Sequence, residues 1–211
     1  MLKVCAIVLS AGRSVRMGTQ KLLLPIRGKP MIARIVAEVF SSKVQELIVV
    51  VGADGKAIQQ AVGEHFLSPR KNGNEPPSVS GCLRFVTNPD PAGDMLSSVR
   101  CGLRETPAGC DAALVVLGDQ PGISAMLINR LITAFDPNKR CIVVPVYQGR
   151  RGHPLLFSTR FTEQVLREFD GTGLHGLLQT HAAEIVEVAS EMAMRDVDTP
   201  ADYRREVEEK R

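Results

Sequence analysis

Tryptophan is absent from the chain, and its 211 residues include only two tyrosines and seven phenylalanines. So few rings leave little to stack on bases, and a net charge of +3 is too small for a nucleic-acid binder. No apolar run approaches the roughly 20 residues that a bilayer-spanning helix needs, so no membrane span is expected. The five cysteines, Cys5, Cys82, Cys101, Cys110 and Cys141, include no Cys-x-x-Cys pair. That usage suits reduced thiols in a cytosol rather than a disulfide framework. His65, His175 and His181 are scattered without metal-ligand spacing, which argues against a zinc site. The N-terminal apolar run is short and leads into a basic loop rather than a cleavage site, so a cytoplasmic protein is expected.

One further absence is local. From Met1 to Ala37 there is no acidic residue, while seven basic ones stand there: Lys3, Arg13, Arg16, Lys21, Arg27, Lys29 and Arg34. Such a stretch is the footprint of a polyanion site. An organelle transit peptide is also basic and acid-poor, but "KVCAIVLS" reads as a buried strand and "KLLLPI" as a packed segment.

What is present describes a globular chain, 44% apolar and 23% charged, long enough to bury a full core without metal or disulfide staples. Short β-branched runs recur: "KVCAIVLS", "ELIVVVGA", "LRFVTN", "AALVVLGD", "CIVVPVY", "HPLLFS" and "EIVEVAS". Runs that are apolar throughout belong to strands covered on both faces, as in a parallel sheet with helices on each side. Between the first two, "MIARIVAEVF" puts Ile32, Ile35, Val36, Val39 and Phe40 on one helical face. Further helices are expected near Ser97–Arg104 and Ser124–Ala134, and Thr199 with Pro200 reads as the capped start of a C-terminal one. The Pro-, Gly- and Asn-rich stretch from Ser68 to Gly81 predicts an exposed insertion. No repeat or linker divides the chain, so one domain is expected.

The first strand runs into "LSAGRSVRMGTQK", Leu9 to Lys21. At the end of a parallel strand, backbone N–H groups and a helix dipole favour an anion. Gly12 and Gly18 permit close backbone approach, and Arg13, Arg16 and Lys21 add charge. Neither the Gly-x-Gly-x-x-Gly nor the Walker spacing is present. A solvated basic turn is the plain alternative, although such turns usually have acidic partners nearby.

The stretch "LSAGRSVRMGTQKLLLPIRGKPMI" resembles the signature Leu-x-x-Gly-x-x-x-Arg-Met-Gly-x-x-Lys of the nucleotidyltransferases that act on molybdopterin. Its "LSAG" and "RMGTQK" are closer to the cytidylyltransferase branch, with "LAAG", than to the guanylyltransferase branch, with "LAGG". "NPDPAGDMLSSVRCGL", "LGDQP", "RGHPLLFS" and "DVDTPADY" extend the match over nearly the whole chain. The resemblance implies an α/β, Rossmann-like, three-layer GT-A-type nucleotidyltransferase fold with a mostly parallel central sheet. It implies one domain over 1–211, with a nucleotide-binding part at about 1–120 and an acceptor-side part at about 121–211. It also implies Mg²⁺, a nucleoside triphosphate with CTP favoured, and a phosphate-bearing pterin acceptor.

By the same match, Leu9, Ser10, Ala11, Gly12, Arg13, Arg16, Lys21, Asn88 and Ser98 bind the nucleotide. Arg16 holds the leaving pyrophosphate, and Lys21 reaches the α-phosphate where negative charge builds up. Arg suits bidentate phosphate contact and Lys a point charge. Asp119, in a turn after the strand "AALVVL", and Asp198 are the Mg²⁺ ligands, with Asp196 a substitute for the latter. One or two carboxylates suffice, because Mg²⁺ keeps waters and substrate phosphates. An Asp before Pro or near a helix start is equally an ordinary turn or capping residue. His153, beside Arg150 and Arg151, falls on the acceptor side, and a structural hydrogen-bonding role is its alternative. Two departures stand out. Asp94 occupies the place where the family has glycine before Met95, and "FDGTGLHGLLQTH" lacks the Asp-x-Gly-Ala-Arg run usual in cytidylyltransferases.

The function expected is transfer of CMP from CTP to the phosphate of a molybdopterin-type cofactor, with Arg16, Lys21 and Asp119 catalytic. The alternatives are a GTP-dependent guanylyltransferase, a sugar- or polyol-phosphate nucleotidyltransferase, and a non-catalytic nucleotide-binding carrier for a molybdenum enzyme.

Overall fold

The first apolar run forms β1 (Val4–Ser10), and its alternate residues serve two different cores. Val4, Ala6 and Val8 join one buried cluster, Cys5 and Ile7 another. A strand buried on both faces has no polar side to present, which is why the run does not alternate. The structure is a computed structural model and describes residues 2–12, 17–66, 83–90, 93–139, 141–190 and 196–208. Arg13, Arg16, Cys82 and the 68–81 insertion lie outside the described residues.

After β1 the chain makes a short hairpin of β2 (Pro25–Ile26) and β3 (Lys29–Pro30), turned by Arg27 and Gly28 at positive φ. Then come α1 (Met31–Phe40), β4 (Glu46–Val51), α2 (Lys56–Phe66), β5 (Leu83–Thr87) and α3 (Met95–Arg104). The second half holds β6 (Ala112–Leu117), α4 (Ala125–Ala134), β7 (Ile142–Tyr147), β8 (Arg150–Arg151) and β9 (Leu155–Ser158). It closes with α5 (Thr162–Arg167), α6 (Leu174–Thr180), β10 (Ile185–Ala189) and α7 (Pro200–Glu208).

The main sheet runs in the order β10-β7-β9-β6-β1-β4-β5, with β8 paired to β7. β1 lies parallel to both β4 and β6, β5 parallel to β4, and β10 parallel to β7. The run "HPLLFS" departs from a parallel arrangement: β9 is antiparallel to β6 and β7. The connection from Tyr147 to Leu155 is shorter than the dozen or so residues a parallel crossover needs. The apolar sides of α1, α2 and α4 cover one face of the sheet, through residues such as Ile35, Ile58 and Leu131. Those of α3, α5 and α6 cover the other, through Val99, Val165 and Leu177. This is the three-layer α/β arrangement expected, with β9 and the short β8 reversed. α2 has a weak sequence signal: among its described side chains the fully buried apolar anchors are Ile58 and Val62, one turn apart.

Helix starts follow capping chemistry. Asp94 accepts a hydrogen bond from Ser97 N at 2.9 Å, and Ser124 Oγ accepts one from Leu127 N at 3.3 Å. Thr199 Oγ1 accepts from Asp202 N while the Asp202 carboxylate accepts from Thr199 N, a reciprocal cap for α7. Asp94 has φ −73° and ψ −178°, so no left-handed conformation is required where the family has glycine. Asp94→Ala is expected to cost about 1 kcal/mol through loss of the cap. Calorimetry should show a melting temperature lower by about 2–4 °C for a domain of this size; an unchanged value would mean the cap contributes nothing.

Candidate active site

The site forms where β1 and β6 end side by side, with Leu9 opposite Leu117. Gly118 N donates to Leu9 O at 2.9 Å, and a Cβ at Gly118 would lie 2.6 Å from that same oxygen. The glycine of "LGDQP" is thus fixed by close approach of the first loop's backbone, and Asp119 follows it at the carboxyl edge of the sheet, where α/β ligand sites lie.

Sequence-distant segments converge on Asp119. Val197 N donates to Asp119 O at 3.0 Å, which ties "DVDTP" to the β6 turn. Gln120 Nε2 donates to Asp196 Oδ1 at 2.5 Å. From the other side, the single turn Lys21–Leu23 is anchored by buried Leu22 and presents Lys21. Lys21 Nζ lies 2.7 Å from Asp119 Oδ2 and 2.7 Å from Asp198 Oδ1. Burial of Lys21 works against its charge, but hydrogen bonds and attraction from both carboxylates outweigh it and raise its pKa. The Asp196 carboxyl is pushed up mainly by burial and further by Asp119 and Asp198, while the Gln120 donor opposes this.

Beside this cluster opens a cleft of about 580 Å³. Leu9, Ala11, Gly12, Asn88, Ser98 and Asp119, all singled out in the sequence, line it together with Asp90, Gly93, Asp94, Met95 and Leu117. Asn88 is buried and organises its own loop: Nδ2 donates to Ser97 Oγ and Ser98 Oγ, and Oδ1 accepts from Asp90 N. Gly93 also sits in close approach, here against the Ser97 side chain rather than backbone, since a Cβ there would meet Ser97 Oγ. Ser10 is placed differently from the other loop residues: it is 2% exposed, outside the cleft lining, with Oγ donating to Val50 O at 2.7 Å. Its hydroxyl holds β1 to β4. Arg13 and Arg16 lie outside the described residues. Gln120, Ser97 and Asp90 were not singled out. Asp90 and Gln120 stand beside prolines in "NPDP" and "GDQP", and for Asp90 that turn chemistry is the available signal.

His153 is not among the cleft residues. Its Nε2 is buried without a hydrogen-bond partner among the described residues. Burial pushes the imidazole from 6.5 down to about 4, and the nearby Asp119 charge offsets only part of that. The unfolded chain therefore takes up this proton near pH 6.5 while the folded protein does not. Stability is expected to fall by about 3 kcal/mol as pH drops from 6.5 towards 4, and to be flat in this respect above 6.5. Denaturant unfolding of wild type and His153→Gln across that window tests it, because the variant should lose this part of the slope.

Asp119 and Asp198 offer hard oxygens to one point, already marked by a bound ammonium. That donor set fits a divalent cation of the Mg²⁺ type, which needs only one or two carboxylates besides substrate oxygens. Among the described residues no helix is long and apolar enough to cross a membrane.

The fold and the family match together make this a nucleotidyltransferase of the Rossmann-like GT-A type. Residues 6–185 match the family described as the MobA-like NTP transferase domain, and the chain belongs to that family. Purine catabolism protein PucB of Bacillus subtilis (strain 168) is 26% identical over 201 residues, covering 93% of this chain and 92% of its own. Nicotine blue oxidoreductase of Paenarthrobacter nicotinovorans is 28% identical over 214 residues, with coverage of 93% and 92%. The crystal structure of Rv0371c of Mycobacterium tuberculosis H37Rv, a complex with manganese, superposes with a TM-score of 0.74 at 25% identity and covers 98% of both chains.

Proposed function

We propose that the protein transfers CMP from CTP to the phosphate of a molybdopterin-type cofactor and releases pyrophosphate. The observation that carries this is the convergence of Lys21, Asp119 and Asp198 beside the cleft that the "LSAG" loop lines. Nucleotidyl transfer needs little covalent help; it needs triphosphate charge neutralised and the attacking phosphate held in line. Asp119 and Asp198 would hold Mg²⁺, which when bound neutralises charge on the triphosphate. Manganese in the Mycobacterium tuberculosis structure supports a divalent metal for the fold. Arg16 and Lys21 then serve the phosphates, and Leu9, Ala11, Gly12, Asn88 and Ser98 the nucleoside side of the cleft. His153 stands on the acceptor side. In this reading the chain is one domain, with nucleotide binding in about residues 1–120 and the acceptor in about 121–211. The enzyme is cytoplasmic, and a molybdenum enzyme receives the product. The free Cys5, Cys101, Cys110 and Cys141 suit that compartment.

The test is pyrophosphate release with Mg²⁺ and molybdenum-loaded molybdopterin, comparing CTP, GTP, ATP and UTP. Release with CTP alone is the expected result. Release with GTP alone would replace CMP transfer by GMP transfer. Nucleotide binding without release from any of the four would overturn transfer to this acceptor, in favour of another phosphate acceptor or a carrier.

A further inference from the structure

Lys21 has two uses that exclude one another. Its ammonium bonds both Asp119 and Asp198 at 2.7 Å, with the side chain 12% exposed. A divalent cation held by the same two oxygens, Asp119 Oδ2 and Asp198 Oδ1, would sit about 2.1 Å from each, close to where the ammonium nitrogen now lies. Two cations sharing that space repel strongly, and the wall offers Lys21 little water in exchange. A nucleoside triphosphate does offer it something, namely anionic oxygens beside the same turn.

We propose that Lys21 is the resident counter-cation of the Asp119–Asp198 pair and has to leave it for a divalent metal to enter. Metal and nucleotide then bind as a mutually dependent pair, since the triphosphate supplies the place to which the ammonium moves. The two carboxylates are kept compensated and in position before substrate arrives, and the metal is held weakly until the nucleotide is present. This inference rests on the reading of Asp119 and Asp198 as metal ligands. It goes beyond that reading by giving Lys21 a positioning role that is separate from any contact it makes with phosphate.

The test is Mn²⁺ binding to the full, nucleotide-free chain, followed by loss of the free-ion electron paramagnetic resonance signal. Wild type is compared with Lys21→Met, Lys21→Gln, Asp119→Asn and Lys29→Met. Lys29 is an exposed cation of the β2–β3 hairpin and controls for a general change of charge. Removing the Lys21 charge is expected to tighten Mn²⁺ binding by about 10-fold, in the range typical of coupling between sites. Lys29→Met should change it by far less, and Asp119→Asn should weaken it. Either Lys21 variant suffices, provided its thermal unfolding remains cooperative.

If Asp119→Asn weakens binding but the Lys21 variants bind as wild type does, the carboxylates hold metal and the exchange is wrong. Equal tightening by Lys29→Met would also overturn the exchange, because net charge alone would then explain it. If Asp119→Asn leaves Mn²⁺ binding unchanged, the metal-site reading itself fails and the inference falls with it.

Discussion

Replacing Asp119 by alanine is expected to lower turnover about 10²- to 10³-fold while leaving the protein folded. That range is what loss of one preorganised charge stabiliser typically costs. The reason to expect a large effect is position: the carboxylate stands at the cleft, at the end of β6, and shares an ammonium with Asp198. The reason to expect an intact fold is that the backbone carbonyl, which accepts from Val197 N, is retained, and Lys21 keeps Asp198 as a partner. The carboxylate itself is a quarter exposed. Pyrophosphate release together with thermal unfolding separates the two effects. Turnover close to wild type in a folded variant would remove Asp119 from the reaction.

The largest stability effect is expected at Phe157. It is fully buried in β9, the strand that runs antiparallel between β6 and β7, and it sits opposite Ala113 on one side and Ile142 on the other. The small Ala113 leaves room that the ring fills, so truncation opens a cavity that neighbours on rigid strands cannot close. Phe157→Ala is expected to cost about 3–5 kcal/mol. For a domain of this size that corresponds to a melting temperature lower by roughly 6–20 °C. Calorimetry of the variant measures it, and a shift of only a degree or two would mean that this core relaxes around the loss.

These two residues differ in how far the sequence announces them. Asp119 stands in a Gly-Asp-Gln-Pro turn after an unmistakable strand, and its place at the carboxyl edge of the sheet follows from the order of elements. Phe157 lies in an apolar run like the others, and nothing local says that it reverses direction. Likewise α1 was legible from its five-residue apolar face, whereas the fully buried anchors among the described side chains of α2 are just Ile58 and Val62. Asp94 shows the opposite case. Read along the chain it looks like a strained substitute for glycine, but its backbone is extended and its side chain caps α3.

By itself, the sequence determined the alternation of buried strands and covering helices and the identity of most cleft residues. These depend on period, composition and local turn chemistry, all of which act over a few residues. Tertiary structure alone decided that Ser10 faces the core, that β9 runs antiparallel, and that Lys21 closes on Asp119 and Asp198. The last contact joins residues 98 and 177 positions apart. Its geometry follows from the pairing of β1 with β6 and the Val197–Asp119 bond, and no local pattern encodes such a distance.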